Sequence, residues 1–193
     1  MTIAFISHAD CAMHETTSYH PDTAERLAAI HDRLIASGLE MIMHFYDAPM
    51  VSVEQLCRVH DADYVSEIFQ KLQDNERVWL DADTLMVSAS LTAAQRGAGA
   101  VVKAVDLVMS QDANSAFCCV RPPGHHAEHN KAMGFCIFNN VAVGVAHAIA
   151  QYGLERVAII DFDAHHGNGT EDIFRGNEQV LLCSSFQHPF YPD

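Results

Sequence analysis

The chain opens with a short apolar run, Ile3-Ala-Phe-Ile-Ser7, of strand character. From Pro21-Asp22 the spacing turns helical: Leu27, Ile30, Leu34 and Ile35 fall on one face, and Gly38 supplies a stop. Ser52-Val-Glu-Gln55 has the residues of a capping box ahead of Leu56. A helix over 62–73 follows, with Tyr64, Ile68 and Leu72 at helical spacing, and Asp74-Asn-Glu-Arg77 with Asp81-Ala-Asp83 predicts an acidic loop. Residues 88–109 are alanine-rich and helix-prone, with Gly97 and Gly99 permitting a close neighbour. A buried strand over 115–120 leads into an irregular stretch, 121–138, rich in Pro, Gly, His and Asn, the kind of segment on which a scaffold carries functional groups. Asn139 reads as the cap of a helix to Gln151, followed by an apolar strand over 156–162, a short helix over 170–174 and a strand over 179–184. Buried strands alternating with helices predict an α/β fold, a parallel sheet with helices on both faces.

Composition narrows the picture little: 193 residues, 49% apolar, fit one domain with a core, and no repeat, low-complexity tract or linker divides it. Charge is more informative. With 25 acidic and 11 basic side chains the net charge is −14, which repels a phosphate backbone and argues against nucleic acid as a direct partner. It suits cationic substrates such as lysine-rich peptides or polyamines, although solubility alone also accounts for it. Six cysteines without a CxxC pair read as reduced, mostly buried thiols, which points to the cytoplasm. No signal-peptide pattern and no run of membrane-spanning length is visible, so a soluble protein is expected.

The chemistry concentrates in two places. At the end of the predicted strand over 156–162, side chains two apart share a face, so Asp161, Asp163 and His165 project together at the edge where parallel α/β sheets place ligands. Alone, this pattern is equally explained by a strand running into a polar loop. The adjacent His166 and Gly167-Asn-Gly169, able to turn sharply around a ligand, favour a site. The second place is His125-His126 in a Pro-Pro-Gly loop. A carboxylate and an imidazole suit a metal such as zinc, and a neutral imidazole nearby can accept a proton, so the two clusters together read as a metal-assisted hydrolase. His8, His14, His44, His129, His147 and His188 read as surface or rim residues, His60 as a structural contact of Tyr64, and Met133 as packing.

Arg121-Pro-Pro-Gly-His-His-Ala127, Gly134-Phe-Cys-Ile-Phe-Asn-Asn140 and Asp161-Phe-Asp-Ala-His-His-Gly-Asn-Gly-Thr170 resemble, in order and spacing, the motifs of the histone deacetylase superfamily of zinc amidohydrolases, in its class II and bacterial branch. His20-Pro-Asp-Thr-Ala-Glu-Arg26 and Ser184-Ser-Phe-Gln-His-Pro-Phe-Tyr-Pro192 resemble weaker family signatures. The resemblance implies a three-layer arginase/deacetylase-like fold and removal of an acetyl or other acyl group from lysine side chains or a polyamine-like amine. Asp163 and His165 would bind Zn2+. His126 would act as general base and then general acid, leaning on Asn168, with His125 as its electrostatic partner. Asp161 would hold His125 and, with Ser184, a structural K+. Gly134 and Phe135 would line the acyl tunnel opposite Phe190 and Tyr191, Asp83 would be a rim acceptor for substrate backbone, and Arg26 would sit in an inner pocket.

Where relatives place Asp at the position of Asn168, a neutral amide should leave His126 easier to deprotonate. The family's third zinc ligand, an Asp, and its transition-state Tyr come from sequence beyond position 193, as do the last strands of the usual sheet. The expectation is therefore the N-terminal portion of one catalytic domain, spanning 1–193. A catalytically silent acyl-lysine or scaffold-binding module is the alternative. A dimanganese ureohydrolase is disfavoured because Asp163-Ala-His165-His-Gly lacks the second Asp of a DxHxD cluster. The sequence leaves oligomeric state open.

Overall fold

The computed structural model describes residues 2–17, 19–71 and 77–192. In chain order its elements are β1 (Ile3–Ser7), α1 (Glu25–Ser37), β2 (Met43–Asp47), α2 (Val53–Leu56), α3 (Ala62–Gln70), β3 (Arg77–Trp79), β4 (Leu85–Val87), α4 (Ser90–Met109), β5 (Ser115–Cys118), α5 (Asn140–Tyr152), β6 (Val157–Asp161), α6 (Asn168–Phe174) and β7 (Val180–Ser184), with 3-10 turns at Ala9–Met13 and Leu39–Ile42. Strands β2, β1 and β5 form one parallel sheet, β6 and β7 a second parallel pair, and β3 and β4 a small antiparallel ribbon.

Local signals act where the sequence places them. Gly38 closes α1 at φ 74°, donating to Ile35 O, and the Ser52/Gln55 capping box starts α2. The Asn139 side chain accepts from Ala142 N to start α5. α1 begins at Glu25 rather than at Pro21-Asp22, because the Asp22 carboxylate is drawn into a buried pair with Arg121. Leu72 and the acidic Asp74-Asn-Glu76 lie outside the described residues. The short strands β2, β3 and β4 escape the hydrophobic pattern. β2 exposes both His44 and Phe45, so it shows no alternation, and the other two are too brief for a period to register.

The first sheet is covered by α4 on one face and only in part by α1 on the other. Ala4 and Ile6 of β1 pack with Ala100 and Leu107 of α4, while Phe5 on the opposite face meets Phe45 and the His31 ring of α1. The larger core joins α2, α3, α4 and α5 around Leu56, Ile68, Ala98, Ile137, Phe138 and Val143. Two glycines allow close approaches of the long helices: a Cβ on Gly99 of α4 would strike the Pro49 carbonyl oxygen in the segment after β2, and one on Gly144 of α5 the Val101 side chain of α4.

The second pair of strands is covered on one side only. Ile159 is buried, but Ile160 is 74% and Phe162 87% exposed. Between β5 and β6 lies an open cleft of about 900 Å³, lined by Cys118, Val120, Val101, Val145 and residues 157–162. The expected incomplete sheet is thus interrupted in its middle, between β5 and β6.

Two expectations about side chains are corrected. Of the six cysteines, all free, Cys11, Cys119 and Cys136 are buried and Cys118 is half-buried, but Cys57 and Cys183 are exposed. His14 and His147 are buried rather than surface residues: His14 Nδ1 lies 2.7 Å from Ser90 Oγ, and His147 Nε2 2.7 Å from Asp106 Oδ1, an acceptor shared with the Tyr152 hydroxyl. Both helices α4 and α5 are joined by that contact.

His60 is the structural contact foreseen, and its tautomer is fixed. Asn139 N–H donates to Nε2 at 3.0 Å, so Nδ1 carries the proton and donates to Glu128 O at 2.9 Å. Burial pushes both His60 and His14 down to about 4. Between that value and the ordinary one of about 6.5 the unfolded chain binds more protons, so stability rises with pH across this window and is lost as pH falls through it. We predict that His60→Ala costs about 2–4 kcal/mol at pH 7 and roughly 2 kcal/mol less at pH 4.5, since the variant has no imidazole at this position to protonate. Urea denaturation at the two pH values measures this; an equal cost at both would contradict it.

Candidate active site

The irregular segment 121–138 carries the paired histidines, and because it lies in no helix or sheet its carbonyls need side-chain donors. Asn139 Nδ2 donates to Ala127 O, Asn140 Nδ2 to Pro122 O, the Tyr64 hydroxyl to Ile137 O and His60 to Glu128 O. At its start the Arg121 guanidinium, 2% exposed, donates to both carboxylate oxygens of Asp22 and to the carbonyls of Cys11, His14 and Asp22. The loop is therefore anchored to the N-terminal segment, to α3 and to α5.

His125 and His126 are oriented by two different partners. His125 Nδ1 donates to Asp161 Oδ2 at 2.9 Å. His126 Nδ1 lies 2.8 Å from Asn168 Oδ1, and the Asn168 amide is turned by its own NH2 group, which donates to Glu128 Oε1 at 3.0 Å. The oxygen of Asn168 must then face His126, so Nδ1 bears the proton and Nε2 keeps its lone pair. Burial, followed by the neighbouring His125, pushes His126 down to about 4, which holds it neutral at physiological pH.

Asp163 and His165 follow β6. Their side chains approach each other, His165 Nδ1 to Asp163 Oδ1, at 3.3 Å, and the His165 ring stacks on Phe190 at 5.2 Å. The His126 and His165 rings are 6.0 Å apart, and Tyr191 stands edge-on to both. Burial and the Asp83 and Asp81 carboxylates push the Tyr191 hydroxyl up, so it stays protonated. A cavity of about 520 Å³ gathers His125, His126, Gly134, Phe135, Asp163, His165, Phe190, Tyr191, Asp83 and Arg26 along its wall. Every residue expected around an acyl tunnel is thus brought to one place. Among the described residues no three His, Cys, Asp or Glu side chains converge as a metal cage.

Three residues differ from the sequence reading. Arg26 lines the cavity, but its side chain is 64% exposed, and the buried guanidinium is that of Arg121. Asp83 is turned inward through one oxygen, which accepts from Gly134 N at 3.1 Å. Thr84, unremarked in the sequence, is buried and accepts from Phe135 N at 3.1 Å. Its signal was a hydroxyl following an acidic loop, too common a feature to single out. Ser184 pairs with Asp161 across β7 and β6, so the two suspected potassium ligands are neighbours by register.

Replacing Asn168 by Asp should raise the His126 pKa by about one to three units, because a carboxylate on Nδ1 favours the imidazolium. Titration of the His126 ring signals by nuclear magnetic resonance checks this, and an unchanged midpoint would contradict the hydrogen-bond assignment.

Comparison with known proteins identifies the family of the chain. The model of the histone deacetylase domain matches residues 20–193. A probable deacetylase of Archaeoglobus fulgidus is 35% identical over 100% of this chain and 53% of its own length. A histone deacetylase-like amidohydrolase of Pseudomonas aeruginosa is 40% identical over 89% of this chain and 44% of its own. The mouse polyamine deacetylase HDAC10 is 37% identical over 88% of this chain. In three dimensions the crystal structure of the HDA15 HD domain superposes with a TM-score of 0.93 at 32% identity, covering 99% of this chain and 55% of that one. The chain spans about half the length of the curated relatives it matches. With the motif residues gathered in one cavity and a family model covering all but the first nineteen positions, the chain belongs to the histone deacetylase family.

Proposed function

We propose that this chain forms the acyl-binding and proton-transferring part of a zinc-dependent amidohydrolase that removes acetyl or related acyl groups from lysine side chains or polyamine-like amines. The observation that carries the proposal is the buried His126, held through Nδ1 by Asn168 with its Nε2 left free, beside Asp163 and His165 in one cavity. Two ligand atoms on a tetrahedral zinc ion, each at about 2.0–2.1 Å, stand about 3.3 Å apart. The separation of His165 Nδ1 and Asp163 Oδ1 fits that spacing. Two donors are one short of the three protein ligands of a catalytic zinc, so the third comes from outside these residues. The apolar cleft between β5 and β6 offers the place where such a polypeptide segment adds to the sheet.

When bound, zinc supplies Lewis-acid polarisation of the amide carbonyl and of water. The chain's own groups do the rest. His126 accepts the proton of the attacking water at Nε2 and returns it to the leaving amine, while the Asn168 contact keeps the ring in the productive tautomer. His125, tied to Asp161, presents its Nε2 beside the same reacting centre. Asp161 and Ser184 support a K+ site at the end of β6 and β7. Phe135 and the facing Phe190 and Tyr191 form aromatic walls that suit the alkyl stem of an acylated amine.

The negative net charge and the deacetylases among the relatives, some of them named for polyamines, favour cationic substrates over nucleic acid. The free cysteines support a reducing, cytoplasmic setting, and no helix among the described residues is long and apolar enough to cross a membrane. In the assembled, zinc-loaded enzyme, His126→Ala should lower turnover of an acetyl-lysine peptide by about 10²–10⁴-fold. Near-normal turnover with zinc retained would remove His126 from the role of base.

A further inference from the structure

The tunnel wall is an unusual turn. Met133 and Cys136 exchange two backbone hydrogen bonds, Met133 N to Cys136 O and Cys136 N to Met133 O, and the two residues between them both have positive φ, 56° at Gly134 and 69° at Phe135. Two-residue turns of this kind favour Asn-Gly, and a bulky side chain at the second position is disfavoured. A residue held in such a conformation persists only where its surroundings determine it, and such positions cluster at functional sites.

The determining contacts come from the turn between β3 and β4. Gly134 N–H donates to Asp83 Oδ1 and Phe135 N–H donates to Thr84 Oγ1, each at 3.1 Å. The Thr84 hydroxyl in turn donates to Asp83 Oδ1 at 3.1 Å, so its lone pair is aimed at Phe135 N. Thr84 is 1% exposed, and the clamp therefore works without competing water. The far side of the turn is the catalytic histidine: Gly134 lies so close to His126 that a Cβ would collide with ring atom Cδ2. The Phe135 ring is met edge-on by His20 at 4.3 Å.

We propose that Thr84 is a positioning residue of the site, fixing through Asp83 and the two successive amides the left-handed turn that sets both the projection of Phe135 into the cavity and the wall behind the His126 imidazole. The proposal rests on reading this cavity as the acyl-amine site, but its test does not depend on deacylation.

The measurement is amide hydrogen exchange at Phe135 together with the His126 ring resonances. Thr84→Val, which keeps the shape and loses the hydroxyl, should speed exchange at Phe135 by about tenfold and shift the His126 signals while amides of α5 keep their protection. Thr84→Ser, which restores the hydroxyl, should return Phe135 exchange to within about threefold of the parent. Unchanged Phe135 exchange and His126 signals in a folded Thr84→Val protein would overturn the proposal. If α5 protection is also lost in that variant, Asp83→Ala removes the acceptor shared by Gly134 and Thr84. Faster exchange at Gly134 and Phe135 then supports the clamp, and unchanged exchange there overturns it. None of these outcomes bears on whether the cavity hydrolyses acyl amines, so the two readings fail separately.

Discussion

The buried pair of Arg121 and Asp22 is the contact on which the geometry of the site depends. A guanidinium removed from water must be saturated, and Arg121 meets that demand with two carboxylate oxygens and three carbonyls drawn from Cys11, His14 and Asp22. Those carbonyls belong to a segment with little regular structure, and so the arginine organises it while fixing the first residue of the histidine loop. Loss of one partner from such a pair costs about 3–5 kcal/mol, because the other charge stays buried. Here the cost would appear at the site as well, since His125 and His126 stand four and five positions further on.

A division of labour follows along the loop. Carbonyls are held from behind by Tyr64, His60, Asn139 and Asn140, and the imidazoles are held from in front by Asp161 and Asn168. One histidine is held by a neutral amide and the other by a carboxylate. Asn168 orients His126 without charging it, and burial does the remainder.

Much of this was legible in the sequence for identifiable reasons. Strands β1, β5, β6 and β7 and the long helices announce themselves through apolar runs and helical spacing, and Gly38, Ser52 and Asn139 mark their ends through chemistry that is local. The motifs at 121–127 and 161–170 also name their own site, because two-residue alternation at a strand end is local geometry. What the sequence conceals is set by distant partners. Asp22 reads as a helix starter until Arg121, 99 positions away, claims it; His14 and His147 read as surface residues until Ser90 and Asp106 bury them. Thr84 carries no distinctive signal without the turn at Gly134–Phe135 opposite it. The interruption of the sheet between β5 and β6 is equally invisible in a strand count, for it concerns which edges fail to meet.

That interruption and the proposed two-donor metal site belong together: the described fold leaves an apolar cleft beside β6, and Asp163 and His165 after β6 would supply two zinc ligands where a catalytic ion uses three. The most direct test is calorimetric titration of the assembled enzyme, third ligand included, with Zn2+, compared with an Asp163→Asn/His165→Gln variant that keeps the fold. The account predicts one zinc per chain for the parent and an affinity lower by more than about tenfold for the variant. Undiminished zinc binding by the variant would contradict it.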